Sequence, residues 1–257
     1  MNGRRSLPRR VILAELVKLG SLPSSIWFLA TTSVVIVGFG VYGAIGQTVQ
    51  EDMGLATYDP LGGTLGGISS AAVVVGTLGG LFVTGEYINR MVRTTFSAVP
   101  RRWEVVLAKA VAVAAATFLV VLASLALTLG AAALILGNRG MSLALGAPGA
   151  ARALVGSALF LALVGVIGVA LGWLLRSTAG VLTAIVGLLY VLPIISILLP
   201  RSVGEHVIPY LPNNAGVAVM QLESSGLLTP WTGFGLFAAY ALLALALAAA
   251  VIEMRDT

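Results

Sequence analysis

The sequence predicts an all-α polytopic membrane protein with six transmembrane helices, an N-terminal interfacial helix and an extracellular re-entrant hairpin between the fifth and sixth spans. Three observations lead there. The chain has 257 residues, 58% of them hydrophobic and only 10% charged, with a mean hydropathy of +1.02. A soluble domain carries about 25% charged residues. Six stretches are also close to the roughly 20 apolar residues needed to cross the hydrocarbon core. Finally, the charges between those stretches are distributed unequally, as membrane topology requires.

The same composition narrows the partners. The formal charge of +5 invites a nucleic-acid reading, but the basic residues sit in short loops beside apolar spans. They are not spread over a soluble surface with aromatics between them, so no nucleic-acid partner is expected. With no cysteine there is no disulfide framework, thiol nucleophile or Cys-ligated metal. The start, MNGRRSLPRR, resembles the basic region of a signal peptide. No short apolar run with a small-residue cleavage site follows it, so the segment is expected to be retained.

In chain order, residues 1–23 read as a cytoplasmic tail and an interfacial helix. Ile12, Leu16 and Leu19 recur at helical spacing, with Glu15 and Lys18 placed elsewhere on the helix. The basic flank is expected to face anionic lipid. A ragged extension of the first span is the alternative, but Pro23 and the Ser24-Ser25 pair favour a break. The spans are expected at 25–46, 67–85, 105–136, 153–175, 179–199 and 231–252. The third is long enough to tilt or project.

The first outer loop, 47–66, carries Glu51, Asp52 and Asp59. Their spacing lacks a calcium-loop pattern and reads as a solvated loop. Gly76 with Gly80, and Gly168 with Gly172, are GxxxG pairs that let helices approach closely. Residues 200–230 hold Pro200, Pro209, Pro212 and Pro230. Their apolar stretch is too short to cross. Two half-helices turning at Tyr210-Leu211-Pro212 fit, as re-entrant backbone buried by protein. His206, the single histidine, reads as solvated. Pro193 should kink the fifth span.

Placing both termini in the cytoplasm puts twelve of the 15 Lys and Arg residues inside and leaves Arg139, Arg152 and Arg201 outside. The inverted topology reverses that ratio, so the positive-inside rule selects a multi-pass plasma-membrane protein with cytoplasmic ends.

The spans carry no ionisable residue at mid-depth by these boundaries. Ion-gradient pumps and voltage sensors need such groups. Intramembrane hydrolysis lacks a Gly-x-Ser-x-Gly elbow, a His-Glu-x-x-His pair or an aspartate dyad. Walker A needs Gly-Lys-Ser/Thr, whereas Lys18 precedes Leu19 and Lys109 precedes Ala110. No ATP site therefore lies in this chain, and no cofactor is expected in it. An energy source must come from another polypeptide. Two other classes stay open: an intramembrane enzyme acting on lipid or peptide, and a non-transporting scaffold or immunity component.

The loop at 86–104 is the one long polar segment between the chain ends. Glu86, Arg90 and Arg93 fall on one helical face, Pro100 sits where the third helix starts, and Trp103 falls at the interfacial belt. A short cytoplasmic helix over 89–98 would present Met91, Thr94, Thr95 and Phe96 among positive charges. The plain reading of these charges is topological anchoring.

Glu86-Tyr87, Arg93-Thr94-Thr95, Ala98-Val99-Pro100-Arg101-Arg102-Trp103 and Ala108-Lys109 together resemble the cytoplasmic-loop signature of ABC-2-type permeases. These are the membrane subunits of ATP-binding cassette exporters. The resemblance implies a permease that dimerises with a second copy or a paralogue and binds two ATPase subunits, which carry the ATP and Mg. It implies export of a hydrophobic or amphipathic compound by alternating access. The loop helix would be the coupling helix, with Glu86, Arg90, Arg93, Phe96, Arg101 and Arg102 touching or coupling to the ATPase. The N-terminal helix, with Ile12, Glu15, Leu16 and Lys18, would be the membrane-surface connecting helix. Family members often carry Gly-Thr where this chain has Arg90-Met91.

Overall fold

The computed structural model describes residues 7–54, 59–89, 91, 101–198, 200–222 and 227–254, and every regular element among them is helical. A surface-length helix α1 (Leu7–Ser21) is followed at Leu22 by α2 (Pro23–Asp52). Leu22 is extended, with φ −82° and ψ 119°, and Pro23 opens α2. This is the position where proline's missing N–H costs nothing. Next come α3 (Pro60–Leu65), α4 (Gly67–Ile88), α5 (Arg102–Gly137), α6 (Ala150–Leu175) and α7 (Thr178–Ser196). Two short helices, α8 (Arg201–Val207) and α9 (Pro212–Val217), precede the last helix, α10 (Pro230–Met254). Six of these segments are long and apolar enough to cross a membrane, so the chain is a multi-pass membrane protein.

The centre of the bundle is the crossing of α4 and α6. Glycines make it close. A Cβ on Gly168 would land on the carbonyl of Gly76, and one on Gly79 on the carbonyl of Gly165. A Cβ on Gly172 would meet the Gly80 carbonyl at 2.9 Å. The two GxxxG pairs of the sequence therefore face each other, and backbone packs directly on backbone. α5 covers α6, and α2 leans on both α4 and α5. α2, α7 and α10 turn most of their surface outward, where a membrane protein meets lipid.

The sequence boundaries need correction in several places. α2 continues through Glu51 and Asp52, where the sequence predicts a loop. There Asp52 accepts from Arg139 at 2.9 Å, and Asp59 caps α3 by accepting from Gly62 N–H at 2.8 Å. α7 stops at Ser196 rather than residue 199, with Ile197 and Leu198 in a turn. Hydropathy continues there, but Pro200 disfavours helix at the residue before it. A π-turn over Gly187–Val191 precedes Pro193, with Leu192 N–H reaching back to Gly187 O. The wider turn takes up the space that the proline ring would contest with the carbonyl four residues earlier.

Between α7 and α10, α8 and α9 are separated by extended Leu211, at φ −62° and ψ 142°. Gly216 of α9 lies against the rings of Phe160 and Phe237, themselves 5.2 Å apart. Val219 packs on Gly156, and the Ala215 carbonyl on Gly233. α9 is thus wedged between the ends of α6 and α10, and Ala215, Gly216, Ala218 and Val219 are buried. The backbone turn is held by Arg152, which donates to the carbonyls of Gln221 (2.6 Å) and Leu222 (3.1 Å).

Candidate functional site

Four ionisable residues from three helices meet at one end of the bundle. Lys109 lies two turns into α5, in the apolar run Val105–Val113, and is fully buried. An ammonium there must find acceptors, because removing it from water costs several kcal/mol. Its Nζ donates to Glu15 Oε2 at 2.7 Å and to Glu86 Oε1 at 2.8 Å. The Phe82 ring, one turn before Glu86, has its centroid 4.2 Å from the same nitrogen. Two charge-assisted hydrogen bonds and a ring face thus surround a group with three N–H bonds.

Glu15 comes from α1 and Glu86 from the last turn of α4. Lys18 completes the group, donating to Glu15 Oε1 at 2.8 Å and to Glu86 Oε1 at 3.2 Å. Two carboxylates and two ammoniums cancel, so the quartet adds no net charge to the apolar interior. Burial pushes the Lys18 ammonium's pKa down, but Glu15, by hydrogen bond and charge, and Glu86 more than offset this; the net direction is up from 10.5. Glu86 Oε2 is buried and accepts no hydrogen bond among the described residues.

Glu15 and Lys18 sit differently from the expectation for α1. At 100° per residue, position 15 lies about 40° beyond Leu19, bordering the stripe formed by 12, 16 and 19. The structure buries Glu15 and Leu19, while Ile12 and Leu16 are half-buried alongside. The inward face of α1 is therefore selected by an ion pair as much as by apolar area. Glu86, assigned to the loop, is instead helical and buried. Lys109, counted among the inner-side charges, is the centre of the group. The signals were present: a glutamate bordering an apolar stripe, and a lysine two turns inside a mostly apolar helix.

The remaining candidates divide. Arg102 starts α5 and donates to the Ile252 carbonyl at 3.1 Å, tying it to the end of α10. The C-terminal end of α10 and the quartet thus share one end of the bundle. Arg101 is exposed, 3.8 Å from Glu104. Arg90, Arg93, Phe96 and most of the expected helix over 89–98 lie outside the described residues. Beside the quartet, Tyr87 meets Trp173 edge-on with centroids 5.8 Å apart, and Arg176 lies over the Tyr87 ring at 5.1 Å. Thr84 and Thr178 share a hydrogen bond of 2.7 Å between α4 and α7.

In chemical terms the quartet is a joint. It binds α1, α4 and α5 through directed charge pairs, and all three helices belong to the end from which the 92–100 segment emerges. Among the described residues no group of three or more His, Cys, Asp or Glu is arranged to hold a metal ion. Comparison with protein families finds no match for this chain, and no curated protein matches it.

Proposed function

We propose that this chain is the membrane permease of an ATP-driven exporter, with both termini cytoplasmic and ATP hydrolysed by separate partner subunits. The observation that carries the reading is the Glu15–Lys18–Glu86–Lys109 quartet. It joins α1 to the two helices that flank the segment carrying Arg90, Arg93, Arg101 and Arg102, at 2.7 to 3.2 Å. A push on that segment or on α1 is passed to α4 and α5 together. The tight α4–α6 glycine crossing then carries it into the bundle as rigid-body tilt. The charge asymmetry of the loops supports placing this end in the cytoplasm.

The resemblance of residues 86–109 to the ABC-2 permease loop supports the identity of the motor as an ATP-binding cassette ATPase. The permease pairs with a second copy or a paralogue. The α8–α9 segment is read as the outer re-entrant hairpin: α9 is buried between α6 and α10, as re-entrant backbone requires, while α8 stays largely exposed. The substrate class is hydrophobic or amphipathic, because among the described residues the spans offer hydroxyls and apolar groups but no unpaired charge at mid-depth.

Photo-crosslinking tests the docking. A photoreactive amino acid at Arg93 or Phe96, irradiated in native membranes, is expected to capture a soluble protein bearing a Walker A motif. Labels at exposed Leu134 or Leu242 are not. If the loop positions capture only lipid or this chain itself, the reading falls.

A further inference from the structure

A cavity of about 400 Å³ opens between the α1–α2 elbow and the end of α4. This is within the roughly 300–1,000 Å³ range of small-ligand sites. Leu22, Leu81, Phe82 and Ile88 give it apolar walls, and Ser24, Ser25, Lys18 and Glu86 are among its polar groups, with Ser21 and Asn89 beside them. Neither the Ser24 nor the Ser25 side chain makes a hydrogen bond among the described residues, although Ser25 is buried. Lys18 keeps a third N–H beyond its two carboxylate contacts, and its side chain is 34% exposed. Glu86 has a side chain 10% exposed and an Oε2 with no donor.

The cavity therefore presents two opposite demands. Lys18 and the serine hydroxyls suit a phosphate. Glu86 lines the cavity, and its Oε2 needs a hydrogen-bond donor, best a cationic one. A purely anionic head group would meet Glu86, and a purely cationic one would meet Lys18. A zwitterion with a primary ammonium a few bonds from a phosphate answers both. The apolar walls, at the break between a surface helix and a span, receive the start of acyl chains that stay in the bilayer.

We propose that this cavity binds the head group of an aminophospholipid, with the phosphate on Lys18, Ser24 and Ser25 and the ammonium on Glu86. A quaternary ammonium has no N–H to donate, so a choline head group should be discriminated against. The proposal does not depend on what the protein transports.

The test is lipid retention by the purified full-length protein, read by native mass spectrometry after exchange into detergent doped with one lipid at a time. Phosphatidylethanolamine is expected to be retained at least about tenfold over phosphatidylcholine and over phosphatidylglycerol. Glu86→Gln should abolish the preference over phosphatidylcholine. Because that change also loosens the quartet, Gly85→Leu serves as the second variant. Gly85 lines the cavity and has open space around an added Cβ, so the leucine fills the cavity and leaves the four charges in place. It should reduce phosphatidylethanolamine retention to the phosphatidylcholine level with the melting temperature kept. Equal retention of the three lipids by the native protein, preferred retention of phosphatidylglycerol, or a Gly85→Leu protein that still prefers phosphatidylethanolamine overturns the proposal.

Discussion

Two contacts of α4 differ in kind. Toward α6 it presents glycines, and the helices touch backbone to backbone with no charge between them. Toward α1 and α5 it presents Glu86, and the contact is made by four charged side chains. The first is held by many weak dispersion contacts that depend on shape. The second is held by a few strong, directed bonds whose loss leaves a buried charge unpaired. A shape-fitted crossing resists sliding and moves as one body. A charged joint has discrete made and broken states, which is what a site receiving an external push needs.

The largest effect expected from breaking this contrast is at Lys109. Lys109→Ala leaves Glu15 and Glu86 without their buried cation, with only the partly exposed Lys18 between them, and should cost about 3–5 kcal/mol. Thermal unfolding followed by tryptophan fluorescence measures it, since Trp173 is fully buried. Adding Glu15→Gln and Glu86→Gln to Lys109→Met, which neutralises the core of the joint, should recover most of that loss, because well-packed neutral groups replace a buried ion pair at little cost. An equal loss in both proteins would mean that packing, not charge, holds the corner.

Gly168→Leu attacks the other contact. The new side chain meets the Gly76 backbone, and overpacking of this kind costs about 1–3 kcal/mol or more. Unlike the Lys109 loss, it should not be recovered by neutralising the carboxylates of the quartet. Full retention of the melting temperature would show that the α4–α6 crossing is looser than its geometry.

Lys18 gives the smallest effect. It is partly exposed, so Lys18→Ala should cost only about 0.5–1 kcal/mol, less at high salt. Its folded-state pKa is raised above 10.5. Its contribution is therefore complete below pH 10.5 and fades as pH rises through the higher folded value. Melting temperatures of the native and Lys18→Ala proteins should converge in that alkaline window. A difference that persists above it would assign Lys18 a packing role.

The spans were legible because hydropathy and length are local properties. The six apolar stretches fall on six helices of membrane-spanning length, and the glycine pairs were visible as GxxxG. That Gly76 and Gly80 meet Gly168 and Gly172 was not legible, since spacing along one helix does not say which helix it faces. The quartet was harder still: Glu15 and Lys109 are 94 residues apart. Hydropathy treats a lysine near a span's end as a loop charge, whereas the fold buries it with two carboxylates. The end of α7 was misplaced for a related reason, because apolar side chains at Ile197 and Leu198 say nothing of the backbone before Pro200. The loop residues Arg90, Arg93 and Phe96 rest on the family resemblance.

The most direct measurement is to purify the tagged chain in mild detergent from membranes that express its native neighbours, then identify the co-purifying subunits and assay Mg-ATP hydrolysis. The expected result is a stoichiometric subunit bearing a Walker A motif, with hydrolysis that depends on both proteins. A chain that purifies alone, or with partners lacking any nucleotide site, contradicts the proposed exporter outright.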